Sequence, residues 1–127
     1  METSHNDTRH LIWVAIITVA VLVPFAGRAF NIDEPLFIWT AEQILNNPLD
    51  FYGFRVNWYG VELPMYEVMK NPPLGAYFIA LAAAISGFGE WTLHCFFLIP
   101  AVAVSTGTFL IAKRFTENPL AATLTAI

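Results

Sequence analysis

Apolar residues are concentrated in a few long runs along this chain. The first run, 11–27, consists almost entirely of Leu, Ile, Val and Ala and approaches the ~20 residues that a helix needs to cross the hydrocarbon core of a membrane. A second run covers 74–88 and a third covers 91–112, with a short Gly-Glu turn between them. The pattern predicts an all-α integral membrane protein with three transmembrane helices, one at each run.

One more apolar segment begins at Pro119 and stops at Ile127. It is too short to cross a bilayer, so we expect it to be the start of a fourth transmembrane helix. On this interpretation, residues 1–127 are the N-terminal transmembrane module of a larger protein.

A cleaved signal peptide is the alternative interpretation of the first run. The tail before that run carries acidic as well as basic residues, and no small-residue cleavage site followed by a polar mature start is evident. These features favour a retained membrane anchor.

The segment between the first two runs, 28–73, is polar but rich in Phe, Trp and Tyr, aromatic residues that are common at membrane–water interfaces. Part of it has helical periodicity, with apolar side chains on one face and polar side chains on the other. The apolar positions are Phe37, Ile38, Ala41, Ile44 and Leu45, and the polar positions are Glu42, Gln43 and Asn46. This pattern predicts an amphipathic interfacial helix that ends at Asn47 and Pro48 and lies in the membrane surface.

The composition also indicates a membrane protein. Of the 127 residues, 57% are hydrophobic and 13% are charged, a balance too apolar for the solvated surface of a small soluble domain. The formal net charge is −4 and most of the carboxylates fall within 28–73, so nucleic acid is not expected as a partner. A single cysteine, Cys95, excludes a disulfide framework.

Two adjacent carboxylates, Asp33 and Glu34, precede the predicted amphipathic helix. Acidic groups at the boundary of a membrane are costly unless they are paired or used. In a structural interpretation, Asp33 caps the helix and Glu34 interacts with the positive helix end. In a catalytic interpretation, Asp33 is a general base that takes the proton from an incoming acceptor. The sequence is compatible with both roles.

Basic residues lie at the other end of the same segment. Lys70 and Asn71 precede a rigid Pro-Pro step into the second run, and Lys70 would face Asp33 if the segment folds back over the membrane. A lysine in that place can pair with a lipid phosphate and stabilise its charge as it leaves. The alternative is a lysine that anchors a helix end at the interface, and Arg28 and Arg55 have the same two interpretations.

The order of these features resembles the N-terminal module of GT-C fold glycosyltransferases, particularly the protein O-mannosyltransferases and the lipid A aminoarabinose transferases. The resemblance is carried by a first span, by Phe30-Asn31-Ile32-Asp33-Glu34-Pro35 leading into an amphipathic helix, and by Asn71-Pro72-Pro73-Leu74 leading into the second run. It extends over essentially the whole chain from Leu11 onward and rests on the order and spacing of short motifs.

The resemblance implies a membrane glycosyltransferase that moves a hexose or mannose-like sugar from a polyprenyl-phosphate carrier to a glycan, lipid or protein acceptor, with inversion at the anomeric carbon. It makes Asp33 the catalytic base with Glu34 beside it, and it assigns substrate or phosphate contacts to Lys70, Asn71, Arg28 and Arg55. Relatives have Lys or His directly before the proline of the second-span entrance, where this chain has Asn71. The resemblance implies no definite cofactor besides the lipid-phosphate sugar donor, which is a substrate; some GT-C members use a divalent metal, which would lie near Asp33.

Charge and family resemblance disagree about the side of the membrane. The basic residues Arg28, Arg55, Lys70, Lys113 and Arg114 lie in the first loop or after the third run, whereas the tail carries Arg9. The positive-inside bias alone would place 28–73 in the cytoplasm. The family layout instead implies an extracytoplasmic loop in a bacterial inner membrane, and a module that is inactive without the later helices.

Two other classes of function fit the sequence. One is a transporter or channel subunit, whose intramembrane polar residues would line a path. The other is a noncatalytic membrane scaffold that binds a protein partner through the aromatic loop.

Overall fold

A computed structural model describes residues 5–127 of the chain. These residues form the helices α1 (His5–Leu22), α2 (Glu34–Asn46), α3 (Met65–Val68), α4 (Leu74–Ser86), α5 (Glu90–Thr116) and α6 (Pro119–Ala126), and the strands β1 (Arg55–Asn57) and β2 (Glu62–Pro64). A 3-10 turn, Val23–Phe25, follows α1. The chain divides into two compact units, one of residues up to Gly27 together with His94–Ile127 and the other of Arg28–Leu93.

Two stretches, His5–Phe25 and Glu90–Thr116, are long and apolar enough to cross a membrane. They have 21 and 27 residues and therefore measure ~32 Å and ~40 Å as helices, compared with a hydrocarbon core of ~30 Å. The prediction of a mostly helical chain with apolar helices of spanning length is confirmed for the first and third runs.

The second run has a different outcome. α4 contains 13 residues, so it measures ~20 Å and is shorter than the hydrocarbon core. The helix ends before Gly87, whose φ of 77° lies in the left-handed region that glycine tolerates. The fourth run forms α6, which has 8 residues. Three or four spans are therefore not confirmed.

Helix α2 is confirmed as the amphipathic helix of the segment 28–73, and it packs against α4. Its buried positions are Leu36, Ile38, Thr40, Ala41 and Ile44, and the buried positions of α4 are Ala76, Ile79, Ala80, Ala82 and Ala83. Small alanine side chains allow two helix backbones to approach closely. Much of the apolar face of α2 is thus covered by protein, which differs from a helix lying freely in the membrane surface.

A small core below α2 gathers the aromatic part of the loop. β1 and β2 pair antiparallel, with Val56 opposite Leu63. The core consists of Leu36, Val56, Met65 and Met69, with Phe37, Tyr52, Phe54, Trp58 and Val68 packed against it. The loop that the sequence predicts at headgroup depth therefore has a packed interior of its own.

The other unit contains contacts between the two ends of the chain. Val14, Phe109 and Ala122 form a buried cluster from α1, α5 and α6. The Nδ1 atom of His10 lies 2.8 Å from the hydroxyl of Thr123. These contacts hold α6 against α1.

Candidate functional site

The candidate site is the turn that enters α2. The amide of Glu34 donates to the carbonyl of Asn31 (3.0 Å), which closes a tight turn around Ile32 and Asp33. Ile32 has a φ of 49° and is 74% exposed. Positive φ is rare for a β-branched residue, and such conformations are most often retained at functional sites. No feature of the sequence indicates this strain directly before Asp33.

Glu34 is the structural member of the acidic pair. Its carboxylate forms an ion pair with Arg28 and accepts a hydrogen bond from the amide of Asn31 (2.8 Å). Arg28 and Asn31, which both precede the turn, are thus bonded to a side chain that follows it. The favourable placement of Glu34 at the positive end of α2 agrees with the structural interpretation of the sequence.

Asp33 occupies the N-cap position of α2, but its side chain accepts no capping hydrogen bond. The predicted capping role of this carboxylate is therefore wrong. Its backbone has helical dihedral angles (φ −87°, ψ −6°), whereas a capping side chain normally comes from a residue with extended backbone. Its side chain is exposed and takes part in none of the ion pairs between residues 5 and 127.

The predicted substrate-binding cations are not gathered around Asp33 by any hydrogen bond or ion pair of the described chain. Arg55 pairs with Glu62 (Nε to Oε1, 3.7 Å) and donates to its carbonyl (2.8 Å). Lys70 donates from Nζ to the carbonyl of Tyr66 (2.8 Å). Lys70 thus has no carboxylate partner within 5–127, in contrast to Arg28 and Arg55.

Asn71 contributes a backbone atom to the loop. Its carbonyl accepts a hydrogen bond from the hydroxyl of Tyr52, and burial raises the pKa of that hydroxyl above its ordinary value of 10.0. The hydroxyl of Tyr77, on α4, donates to the carbonyl of Pro48 in the same way. Two tyrosines therefore fasten the loop, and the Asn71 side chain is exposed beside one of these bonds.

Glu90, which the sequence places only in the Gly-Glu turn before the third run, also lies near this turn. Its Oε1 atom accepts a hydrogen bond from the amide of Phe30 (3.2 Å), three residues before Asp33. Glu90 is the first residue of α5, and its carboxylate is separated from Phe30 by sixty positions in sequence. Only the folded chain could show that it fixes the entry to the candidate site.

Among residues 5–127, no group of three or more His, Cys, Asp or Glu side chains is placed to hold a metal ion. Comparison of the chain with protein families, with curated proteins and with solved structures found no match. The resemblance to GT-C glycosyltransferases therefore depends on the residues of this chain alone.

Proposed function

We propose that this chain is part of a membrane glycosyltransferase of the GT-C type, in which Asp33 activates the acceptor of a sugar carried on a polyprenyl phosphate. The observation that carries the proposal is the difference between two adjacent carboxylates. Glu34 is bonded to Arg28 and Asn31, whereas the Asp33 carboxylate has no such partner in the described chain. A general base must have a lone pair available for the incoming proton.

The position of Asp33 along the chain supports the same proposal. Asp33 follows a stretch of spanning length, His5–Phe25, by only eight positions. A carboxylate that close to the end of an apolar helix is suited to a substrate whose polyprenyl tail lies in lipid and whose sugar lies in the headgroup layer. Ile32, directly before Asp33, has the strained positive φ that is typical of residues at functional sites.

In the proposed reaction, the acceptor hydroxyl oxygen attacks the anomeric carbon of the donor sugar. The bond between that carbon and the phosphate oxygen breaks, the polyprenyl phosphate leaves with the electron pair, and the hydroxyl proton passes to the Asp33 carboxylate. The configuration at the anomeric carbon inverts. Lys70, whose charge no carboxylate offsets within residues 5–127, is the cation that we assign to the departing phosphate.

Substitution of Asp33 by Asn tests the proposal, because Asn is isosteric but cannot accept the proton. Membranes that contain the full-length protein are supplied with undecaprenyl-phosphate mannose labelled in the sugar, and label transferred to acceptor is counted. We expect transfer to fall by ~10²–10⁴-fold, the usual contribution of a general base, while donor binding is retained.

Asp50→Asn is the matched control, because Asp50 is an exposed aspartate of the same 28–93 unit. We expect this variant to transfer at the unaltered rate. If Asp33→Asn keeps more than half of the transfer, or if Asp50→Asn loses as much, Asp33 is not the base. If the unaltered protein transfers no sugar from this donor, the chain is not a mannosyltransferase.

A further inference from the structure

A groove runs between one face of α2 and the strand β1. Its volume is about 530 Å³, within the range of about 300–1,000 Å³ typical of small-molecule sites. It is lined by Trp39, Glu42, Gln43, Asn46, Arg55 and Asn57, together with Phe54 and Val56. All of these residues belong to the 28–93 unit.

An aromatic ring forms one wall of the groove. Trp39 is 37% exposed, so part of the indole is available to a ligand. Its ring meets Trp58 edge to face, with centroids 6.0 Å apart and an interplanar angle of 82°. This geometry is the favourable one for two aromatic rings and holds the Trp39 indole in place. The groove therefore offers a fixed, flat apolar surface.

Hydrogen-bonding groups lie beside this surface. The amide nitrogen of Asn46 donates to the carbonyl of Glu42 (2.9 Å), and that of Gln43 donates to the carbonyl of Asp50 (3.0 Å). Each of these bonds leaves the side-chain oxygen as an acceptor. Glu42 adds a carboxylate, and the exposed Asn57 adds an amide that both donates and accepts.

The charges of the groove disfavour an anion. Arg55 is its only cation among the lining residues, and this guanidinium already contacts the carboxylate and the carbonyl of Glu62. Glu42 is negative and is in none of the three ion pairs of residues 5–127. A phosphate would therefore meet an uncompensated carboxylate, whereas an uncharged polyol would find acceptors for its hydroxyl groups.

We propose that this groove is a binding site for a neutral saccharide of one or two rings. A sugar ring has a face of C–H groups, which packs on the indole of Trp39, and a rim of hydroxyls, which bond to Glu42 and the three amides. Trp39 and Asn46 lie six and thirteen positions beyond Asp33, which is ~9 Å and ~20 Å along the axis of α2. The groove is thus separate from Asp33, and saccharide binding there does not depend on the proposed transfer.

Calorimetric titration of the full chain tests this inference. The protein is held in lipid nanodiscs because detergents with sugar headgroups would compete for the groove. The titrants are maltose, cellobiose, mannobiose and N,N′-diacetylchitobiose, with inorganic phosphate titrated separately. Glycolipid capture is measured separately. Vesicles of phosphatidylcholine that contain labelled glucosyl diacylglycerol are mixed with the protein in nanodiscs, and the label transferred to the nanodiscs is counted. Binding of a soluble disaccharide supports the site and indicates a free saccharide ligand. Capture of the glycolipid alone supports the site and indicates a lipid-linked saccharide.

Substitutions locate the binding. We expect Trp39→Ala to raise the dissociation constant by ~10-fold or more and Asn57→Ala to raise it by ~3-fold or more. Trp39→Phe keeps an aromatic ring and should retain most of the affinity. Trp91→Ala is the matched control, because Trp91 is an exposed tryptophan of α5 outside the groove. Asn57→Ala alters only an exposed side chain, so its effect does not depend on whether Trp39→Ala folds.

Three results would overturn the inference. One is that no disaccharide binds with a dissociation constant below about 10 mM and no glycolipid is captured. Another is that Asn57→Ala and Trp39→Ala both bind like the unaltered chain. The third is that phosphate binds in the groove and Arg55→Gln abolishes that binding.

Discussion

Two side chains of one chemical type have different surroundings at the entry to α2. Glu34 bonds to Arg28 and Asn31, and Asp33 bonds to neither. The sequence identified the pair because two acidic residues directly before an amphipathic pattern stand out. It left capping open as one role of Asp33, since it could not show that the backbone there is already helical and that Ile32 has positive φ.

The remaining candidate residues show the same limit of sequence reasoning. Arg55 was a candidate phosphate ligand, but its partner Glu62 lies on the neighbouring strand of a hairpin whose strands have three residues each. Such strands are too short to show the alternation of apolar and polar positions by which strands are recognised. Glu90 was missed because its bond to Phe30 joins distant parts of the chain.

The raised pKa of Tyr52 makes the stability of the fold depend on pH. Burial raises the pKa of its hydroxyl above 10.0 in the folded chain, and the hydroxyl donates to the carbonyl of Asn71. The folded state therefore keeps this proton at a pH where the unfolded state loses it. The contribution to stability is fully present below pH 10.0 and is lost as the pH rises through the folded pKa.

Thermal unfolding measured between pH ~8 and ~11 tests this expectation. We expect the unfolding temperature of the unaltered chain to fall more steeply above pH 10.0 than that of Tyr52→Phe. Tyr59→Phe is the control, because Tyr59 is an exposed tyrosine of the same unit, and it should retain the steep fall. Equal slopes for Tyr52→Phe and the unaltered chain would contradict the assignment.

At the scale of elements, α2 and α4 show which structural features a hydrophobic pattern predicts and which it does not. The apolar face of α2 predicts its helix and its end near Asn47, because both follow from residues close in sequence. The pattern does not show whether lipid or protein covers that face. α4 has the composition of a membrane helix, but its length of 13 residues and its contact with α2 appear only in the fold.

The contact between α2 and α4 predicts the effect of enlarging an alanine. Ala80 is 3% exposed on α4, so Ala80→Leu would place additional methylene groups in a packed region. We expect it to reduce the free energy of unfolding by ~1–3 kcal/mol, as is typical of an overpacked core. Reversible denaturation of the purified protein, followed by circular dichroism, measures this change.

Ala84→Leu is the matched control, because Ala84 lies one turn further along the same helix and is exposed. We expect its effect on the free energy of unfolding to remain within ~0.5 kcal/mol. A similar effect of the two substitutions would mean that α4 does not use this face against protein.

At the scale of the molecule, the number of spans determines which basic residues share a side of the membrane. With spans at His5–Phe25 and Glu90–Thr116 only, the six basic residues divide equally between the two sides. In that arrangement, Arg9, Lys113 and Arg114 would lie on one side, and Arg28, Arg55 and Lys70 would lie on the other. The positive-inside bias then no longer opposes an extracytoplasmic position for residues 28–89.

Cysteine labelling separates two spans from three. In a Cys95→Ser background, single cysteines are placed at Leu49, which is 95% exposed, at Ser86, and at Phe115, which is 85% exposed. Because α4 measures only ~20 Å, we expect a membrane-impermeant maleimide to label positions 49 and 86 from the same side of sealed vesicles and position 115 from the other.

Three spans would give the other arrangement, with positions 49 and 115 labelled together and position 86 on the opposite side. Labelling after the vesicles are permeabilised is the control for each cysteine. The side on which position 49 reacts also determines whether the Asp33 turn can meet an extracytoplasmic acceptor.

The pairing of His10 with Thr123 has a consequence for the biogenesis of the protein. α1 leaves the ribosome before its partner helix, which is translated more than a hundred residues later and thus ~5–20 s later at ~5–20 residues per second. During that interval the Arg28–Leu93 unit, which is continuous in sequence, can assemble completely. Until α6 is made, α1 lacks the contacts that hold the two helices together, and a factor that shields its apolar surface would act in that period.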